Sequence, residues 1–160
     1  MQETLKLWLK AHGPQLADRL EAQREPICDV VAARLETVFP SLGCDLLRAG
    51  TATFTQNVYQ ASAYGFHRLL QVALRFQTMS VIEGEYRWAW GILPRYGVTQ
   101  NHLRAQMRWY FKAARIAVAL DAADQTFVDA LEVLIADVIA RVTAEECPIA
   151  HASRPAPIRA

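Results

Sequence analysis

The chain has 160 residues, the size of about one domain. Hydrophobic residues make up 52% and charged residues 21% of it, which excludes a chain that is disordered throughout. The near balance of 17 Lys and Arg against 16 Asp and Glu excludes the strong basic excess typical of nucleic-acid-binding proteins, so we expect no nucleic-acid partner.

Helical periodicity begins at the N-terminus. A first helical segment spans Glu3 to about His12, and a second spans Gln15 to Gln23, because Gly13-Pro14 is expected to interrupt them. Pro26 suits the first turn of the next helix, where its missing N–H is not needed. The apolar residues of that helix recur every three or four positions, and Pro40-Ser41-Leu42-Gly43 ends it.

The rest of the chain is also predicted to be helical. A turn holds Leu46 and Leu47, and a helix follows from about Thr53 to Phe76. An aromatic-rich helix at 80–93 comes next and is ended by Pro94 and Gly97. Thr99 is the predicted N-cap of the following helix, and the last helix has apolar residues from Phe127 to Val142. No segment alternates as a strand would. We therefore predict an all-α fold of about six to seven helices, either a bundle or a globin-like arrangement of crossed helices.

Nothing in the sequence predicts a catalytic or metal centre. None of the histidines has a His or Cys partner three or four residues away on a predicted helix, whereas a metal site needs several converging ligands. Cys147 and His151 are four residues apart, but they lie in the predicted tail. No Gly-x-Ser-x-Gly nucleophile motif is present. Glu83 and Glu85 are two residues apart, so they do not face each other on a helix. We therefore expect a protein that is not an enzyme and holds no metal.

Aromatic residues and arginines are concentrated between residues 59 and 111. One interpretation is an aromatic core covered by arginine side chains. The other is an apolar pocket with a cationic rim, suited to a planar dicarboxylate. The candidate binding residues are Tyr59, His67, Arg68, Arg75, Tyr86, Arg87, Trp88, Trp90 and Arg95. The helix that carries His67 is apolar on two faces, so we expect it to be packed on both sides. One face holds Val58, Ala61, Gly65, Leu69 and Val72, and the other holds Tyr59, Ala63, Phe66, Leu70 and Leu74.

Two short stretches resemble bacterial globins. Val38-Phe39-Pro40-Ser41-Leu42 resembles the end of the globin B helix, and Tyr96-Gly97-Val98-Thr99-Gln100-Asn101-His102 resembles the stretch that opens the G helix. If 53–76 is helix E and 80–93 is helix F, Leu93 stands where the family has its haem-ligating histidine. The resemblance implies a globin-like domain at 26–145, to which the helical segment at 1–25 is an extension. The composition after Glu145, with three prolines, two arginines and no acidic residue in 147–160, predicts a disordered tail at 146–160.

A narrower resemblance is to the phycobiliproteins, which share the globin fold and bind linear tetrapyrroles. It is carried by Val38-Phe39-Pro40 and by Gly65-Phe66-His67-Arg68-Leu69-Leu70. In that register Tyr59 replaces the chromophore-binding cysteine and Ser62 replaces the aspartate that contacts the pyrrole nitrogens. The chain is therefore more similar to the bilin biosynthesis-associated globins, and the non-haem sensor globins of stressosome proteins are a competing match.

This resemblance implies a protein that binds a linear tetrapyrrole such as biliverdin without a covalent bond. In this hypothesis one or more of Arg68, Arg75, Arg87 and Arg95 pairs with the propionates, His67 bonds a pyrrole or lactam group, and Tyr59, Tyr86, Trp88 and Trp90 wall the pigment. Two alternatives are a ligand-free sensor that acts as a dimerisation module, and a haem protein ligated through His67.

The sequence also carries expectations about location and assembly. No apolar run reaches the roughly 20 residues of a membrane span, and no secretory signal is seen, so we expect a cytoplasmic protein without a membrane partner. The three cysteines are too scattered for a disulfide framework. The apolar stripe of the N-terminal segment has to be covered by the domain or by a second copy, and we predict a homodimer.

Overall fold

Six α-helices and one short 3-10 helix lie entirely within the described part of the chain. The computed structural model describes residues 2–42 and 58–145. The helices are α1 (Gln2–Ala22), α2 (Arg24–Val38), α3 (Val58–Phe76), α4 (Ser80–Trp90), the 3-10 helix (Leu93–Tyr96), α5 (Gln100–Ala117) and α6 (Ala122–Ala144). No strand occurs within these ranges. The fold is therefore all-α, as predicted.

Several predicted features lie outside the described residues. They are the turn at Leu46 and Leu47, the predicted start of a helix at Thr53 and the predicted tail at 146–160. The aromatic-rich helix is shorter than predicted, because α4 ends at Trp90 and the chain continues through Pro94 as a 3-10 turn.

The N-terminal segment is one helix, and the predicted interruption at Gly13-Pro14 is wrong. Pro14 lies inside α1, where its ring removes one backbone hydrogen bond. Leu9 before it and Leu16 after it are both buried. Because both halves pack on the same core, tertiary packing outweighs the local cost of the proline.

The helix ends follow from local chemistry. The backbone N–H of Thr99 donates to Nδ1 of His102 at 2.8 Å, and this capping box starts α5. Asp121 caps α6 by accepting from the N–H of Asp124 at 2.7 Å. Gly97 ends the 3-10 helix with φ 80°, a left-handed conformation that glycine adopts without steric cost.

The helices cross around one core to which all six contribute. α1 packs on α3 and α6, α2 packs on α3 and α5, and α6 also receives α4 and α5. The largest fully buried side chains include Leu16, Ile27, Leu70, Ile82, Met107 and Ile135, one from each helix. This arrangement leaves α3 and α4 close together beside α2 and α5, and a cavity lies between them.

Candidate functional site

A cavity of about 410 Å³ lies between α2, α3, α4 and α5. This volume is within the usual range for small-molecule sites. The apolar part of the lining consists of Leu35, Leu42, Val58, Ala61, Gly65, Phe66, Leu69, Ala89, Leu93, Val98 and Leu103. Tyr59, Ser62, Glu85, Tyr86, Trp88, His102 and Gln106 complete it. Glu85 is the only charged residue among the described lining residues.

Two polar side chains of the lining donate hydrogen bonds to carbonyl oxygens of the protein. The Tyr59 hydroxyl donates to the carbonyl oxygens of Phe39 and Pro40 at 2.7 and 3.0 Å. The Gln106 amide donates to the carbonyl oxygen of Ser62 at 2.6 Å. These bonds tie the end of α2 and the middle of α5 to α3. The walls of the cavity are thus fixed by the protein alone, before any ligand enters.

His102 lines the cavity in a defined tautomer. Its Nδ1 accepts the backbone N–H of Thr99, so in the neutral ring Nε2 carries the proton. Burial lowers the pKa of His102, which favours that neutral ring. A protonated Nε2 is a hydrogen-bond donor and not a metal ligand. His102 can therefore donate to a ligand but is not poised to hold iron.

Among the described residues that line the cavity, Tyr86 is the one whose side chain has a buried polar atom without a hydrogen-bond partner. The side chain is 5% exposed, and its hydroxyl is shielded from water with no hydrogen bond to any described residue. Burial raises the pKa of Tyr86, so the hydroxyl stays protonated. A buried hydroxyl without a partner is costly and is rare in folded proteins, so it needs an explanation. Because the hydroxyl is shielded even from the adjoining cavity, other atoms of Tyr86 form its part of the lining.

Small residues of α3 make room for the cavity. Ala61, Ser62 and Gly65 lie along its cavity-facing side. A Cβ built on Gly65 would meet no atom within 4 Å, so this position is open space. Glycine in a helix interior is less favourable than alanine by about 1 kcal/mol. Nothing in the packing of the described residues requires a glycine at this position, and its effect is to widen the cavity.

His67 does not reach the cavity. It is 1% exposed, and both ring nitrogens are bonded: Nδ1 to the Tyr110 hydroxyl at 2.7 Å and Nε2 to a carboxylate oxygen of Glu21 at 2.9 Å. The hydrogen bond with His67 lowers the pKa of Glu21. Burial raises the pKa of Tyr110. His67 therefore joins α1, α3 and α5, and neither of its nitrogens is free for a ligand.

The four candidate arginines are also outside the cavity lining. Arg75 pairs with Asp18 at 2.8 Å, and Arg87 pairs with Glu83 at 2.9 Å and Glu145 at 3.2 Å. Arg68 is exposed and lines a separate shallow cleft with Arg24 and Tyr64, and Arg95 is exposed on the 3-10 helix. Among the described residues, the structure does not bring these arginines together into one anion-binding rim.

The aromatic candidates divide between the cavity and the core. Tyr59 and Tyr86 are buried in the cavity wall, and Trp88 is 64% exposed at its edge. Trp90 is half-buried and packs against the core instead. Of the nine predicted site residues, the structure gathers Tyr59, Tyr86 and Trp88 around the cavity, and the other six lie elsewhere.

Most of the cavity lining was not among the predicted site residues. One sequence feature points to it: Val58, Ala61, Gly65 and Leu69 share one face of α3, with small side chains at its centre. A helix packed on both sides normally fills both faces with large residues. Small residues in the middle of a buried face indicate either close helix packing or a hollow, and here they border the cavity.

The described residues form no metal site and contain no reactive cysteine. No three His, Cys, Asp or Glu side chains within 2–42 and 58–145 are placed to hold a metal ion. Cys28 is fully buried, and burial raises the pKa of its thiol to about 12, so it is not a reactive thiolate. None of the helices that the structure describes has the length and apolar character needed to cross a membrane.

Comparison with known proteins found no matching family model, no matching curated protein and no matching solved structure.

Proposed function

We propose that this chain is a non-catalytic, globin-like protein that binds a flat and largely apolar small molecule in the cavity between α3 and α4. A linear tetrapyrrole of the bilin class, such as biliverdin, is the ligand that we expect. The observation that carries the proposal is the cavity itself, a largely apolar space of about 410 Å³.

The position of the cavity supports a tetrapyrrole. In the globin resemblance α3 corresponds to helix E and α4 to helix F, and the pigment is expected between them. Residues of both helices line the cavity, among them Phe66 and Tyr86. Leu93, which stands at the expected place of the haem-ligating histidine, also lines it. The contacts of α2 with α3 and of α5 with α6 are compatible with the same arrangement.

The polarity of the lining defines how such a ligand would be held. The described lining contains no arginine or lysine, so carboxylates inside the cavity would have no cationic partner. Placing an unpaired carboxylate there would be strongly unfavourable. We therefore propose that the apolar body of the ligand occupies the cavity and that any carboxylates remain in solvent. This replaces the arginine clamp expected from the sequence.

The lining argues against haem ligated by histidine. Leu93 has no donor atom for iron, both nitrogens of His67 are already bonded, and the neutral His102 has its proton on Nε2. Oxygen carriage by the usual globin chemistry is therefore not part of the proposal.

Absorption spectroscopy on the full chain tests the proposal. Biliverdin titrated into the protein should give a saturable red band, whereas haem should give no Soret band typical of histidine ligation. Gly65→Leu fills the cavity, because its Cβ position is open, and should abolish the red band. Gly84→Leu is the matched control, since Gly84 also has an open Cβ position but is exposed on α4.

A second variant separates ligand binding from stability. Tyr86→Phe removes the unpartnered hydroxyl, so the ligand-free protein should melt at a higher temperature than the parent. Because the shielded hydroxyl does not open into the cavity, the same variant should bind biliverdin about as tightly as the parent does. Tyr64→Phe is the control, because Tyr64 lies outside the cavity lining.

Three results would overturn the proposal. A parent protein that binds no biliverdin contradicts the bilin ligand and favours a ligand-free interaction module. Equal pigment binding by Gly65→Leu and by the parent would put the pigment elsewhere. A histidine-type Soret band would show that the tautomer assigned to His102 is wrong.

A further inference from the structure

Gln106 is a buried side chain with only one end of its amide bonded. It is 8% exposed in the middle of α5. Its Nε2 donates to the carbonyl oxygen of Ser62 at 2.6 Å, and this bond fixes the orientation of the amide, because a carbonyl oxygen can only accept. Its Oε1 accepts no hydrogen bond from any described residue, yet, unlike the Tyr86 hydroxyl, it is not shielded from water. Because Gln106 lines the cavity, a ligand can reach this oxygen from there.

Gln71 of α3 shows how a buried amide is otherwise treated in this core. It is also 8% exposed, its Nε2 donates to the carbonyl oxygen of Ala17 at 2.9 Å, and its Oε1 accepts from Nε of Arg75 at 3.2 Å. Gln71 is not part of the cavity lining. Buried polar groups are normally paired in this way. The open acceptor of Gln106 is therefore a local feature of the cavity wall.

His102 places a hydrogen-bond donor one helical turn before this acceptor. Positions 102 and 106 are i and i+4 on α5, so the two side chains share one face, and both line the cavity. The bond from the Thr99 N–H to Nδ1 leaves the proton of the neutral ring on Nε2, which bonds no described residue. The ring of Phe39 packs edge-on against the imidazole at 4.3 Å and restricts its rotation. One wall of the cavity thus presents a donor and an acceptor side by side.

We propose that His102 and Gln106 select the ligand by a lactam edge, in which a ring carbonyl stands beside a ring N–H. Nε2 of His102 donates to the carbonyl oxygen, and Oε1 of Gln106 accepts from the N–H. Ring closure matters, because an open-chain amide is trans and points these two groups in opposite directions, whereas a ring holds them on one side. The inference rests on the proposed function, since it takes this cavity to be the ligand site.

The other polar groups of the described lining are less suited to select a ligand. Ser62, Glu85 and Trp88 are exposed, so water competes for their polar atoms. A ligand over Gln106 instead covers a group that is already almost buried. An analogue without the N–H would leave the Gln106 oxygen covered and unpaired, and such a loss discriminates strongly between ligands. Carboxylates have no part in this recognition, in agreement with the lack of a cation in the described lining.

Absorption titrations of the full chain test the proposal with two bilins that differ only at the lactams. Biliverdin dimethyl ester has no free carboxylate but keeps both lactams. In its lactim ether both lactam oxygens are methylated, so the free carbonyl and the N–H are lost. The ester should bind about ten to a hundred times more tightly than the lactim ether, because the ether leaves two groups of the cavity wall unpaired. This comparison uses the parent protein and does not depend on the folding of a variant.

Variants assign the selectivity to the two side chains. Gln106→Met should weaken binding of the ester about two- to tenfold, the range for one hydrogen bond, and leave the lactim ether unchanged. Gln71→Met is the matched control, because it also loses a hydrogen bond between helices but lies away from the cavity. His102→Glu keeps an acceptor for the Thr99 N–H but offers no donor, so it should weaken the uncharged ester by a similar factor. Circular dichroism checks that each variant is folded.

Lumiflavin distinguishes the two sources of such an edge. It is a flat, uncharged flavin whose ring carries a carbonyl beside an N–H, as the terminal rings of a bilin do. It should bind more weakly than biliverdin dimethyl ester. If only lumiflavin binds and Gln106→Met weakens it, the lactam edge is supported and the bilin of the proposed function is contradicted.

The remaining outcomes contradict the inference. Equal binding of the ester and the lactim ether by the parent would show that the lactams are not recognised, while the bilin site itself would stand. Equal weakening by Gln106→Met and Gln71→Met would mean that the glutamine acts only through the stability of the fold. If none of the three probes binds, both the lactam edge and the proposed ligand site are wrong.

Discussion

Three polar side chains form a continuous network inside the helical core. The Glu21 carboxylate can only accept, so Nε2 of His67 carries the proton in that bond and, in the neutral ring, Nδ1 accepts from Tyr110. His67 and Tyr110 are 1% and 0% exposed, so their polar atoms depend on one another. Glu21 is 42% exposed at the side chain and connects the network to solvent. The network orders one tautomer of His67 and links three helices.

Removing one member of this network should lower the free energy of unfolding more than removing two members together. Tyr110→Phe leaves Nδ1 of His67 buried without a partner, and we expect it to lower the free energy of unfolding by about 1–3 kcal/mol. Adding His67→Leu to Tyr110→Phe should recover part of that loss, because no unpaired donor or acceptor then remains in the core. Urea unfolding of the parent, both single variants and the double variant measures the coupling. Strict additivity of the two single changes would contradict the pairing.

His102 gives the protein a pH-dependent contribution to stability. Burial lowers its folded pKa below the ordinary value of about 6.5, so folding favours the neutral ring. The stabilisation is complete above that value and is lost as the pH falls through the folded pKa, since the unfolded chain takes up the proton first. His102→Gln keeps an acceptor for the Thr99 N–H but does not titrate. Below about pH 6.5 the parent should therefore lose stability faster than the variant in thermal melts, and parallel pH profiles would contradict this.

At the scale of the elements, two helical glycines have opposite surroundings. A Cβ on Gly13 of α1 would lie 2.7 Å from the carbonyl oxygen of Leu74, so α1 and α3 approach each other there without room for a side chain. Gly65 of α3 faces open space. Helix propensity alone favours alanine at both positions by about 1 kcal/mol. At Gly13 the close packing makes alanine less favourable than glycine, whereas at Gly65 alanine remains the more favourable residue.

Alanine substitutions at these glycines should therefore shift the melting temperature in opposite directions. Gly13→Ala should destabilise by about 1–3 kcal/mol, because α1 must move away from α3. Gly65→Ala should stabilise by about 0.5–1 kcal/mol. Gly84→Ala on the exposed side of α4 gives the propensity effect without packing and serves as the reference. Stabilisation by Gly13→Ala would show that α1 and α3 are not in contact at this point.

The sequence predicted helices well where local chemistry and packing agree. Thr99 begins α5 because its capping and the apolar stripe of the helix point to the same start. Gly13-Pro14 misled the prediction, because the burial of Leu9 and Leu16 depends on residues far away in the chain. The positions of the candidate site residues also depend on distant parts of the chain. Arginine and aromatic spacing on one helix says nothing about partners such as Asp18 and Glu145, which come from other helices.

On the scale of the whole molecule, α1 belongs to the common core. Leu5, Trp8, Leu9, Leu16 and Leu20 are each 2–6% exposed, and the ring of Trp8 stacks on that of Phe127 in α6 at 4.8 Å. The apolar stripe that suggested a second copy is therefore covered by its own chain. The homodimer stays a prediction with no described contact to support it.

Deleting residues 1–23 should consequently unfold the protein and not merely change its assembly. The deletion would expose the partners of α1 on α3 and α6, including His67, and remove several large residues from the core. We expect the truncated chain to lose its cooperative thermal transition in circular dichroism. Light scattering on the full chain independently measures the oligomeric state. A truncated chain that melts cooperatively would show that α1 is dispensable for the fold.

The polar bonds between α1 and α3 also fix how far one helix can slide along the other. Glu21 meets His67, the Ala17 carbonyl meets the Gln71 amide, and Asp18 meets Arg75, so the three positions on α3 are four residues apart. An apolar interface of leucines and alanines would tolerate a shift by one helical turn of about 5.4 Å. Such a shift here would separate Nε2 of His67 from the only carboxylate bonded to it among the described residues. These three contacts therefore stabilise one axial alignment of α1 on α3 and disfavour alignments that are shifted by one turn.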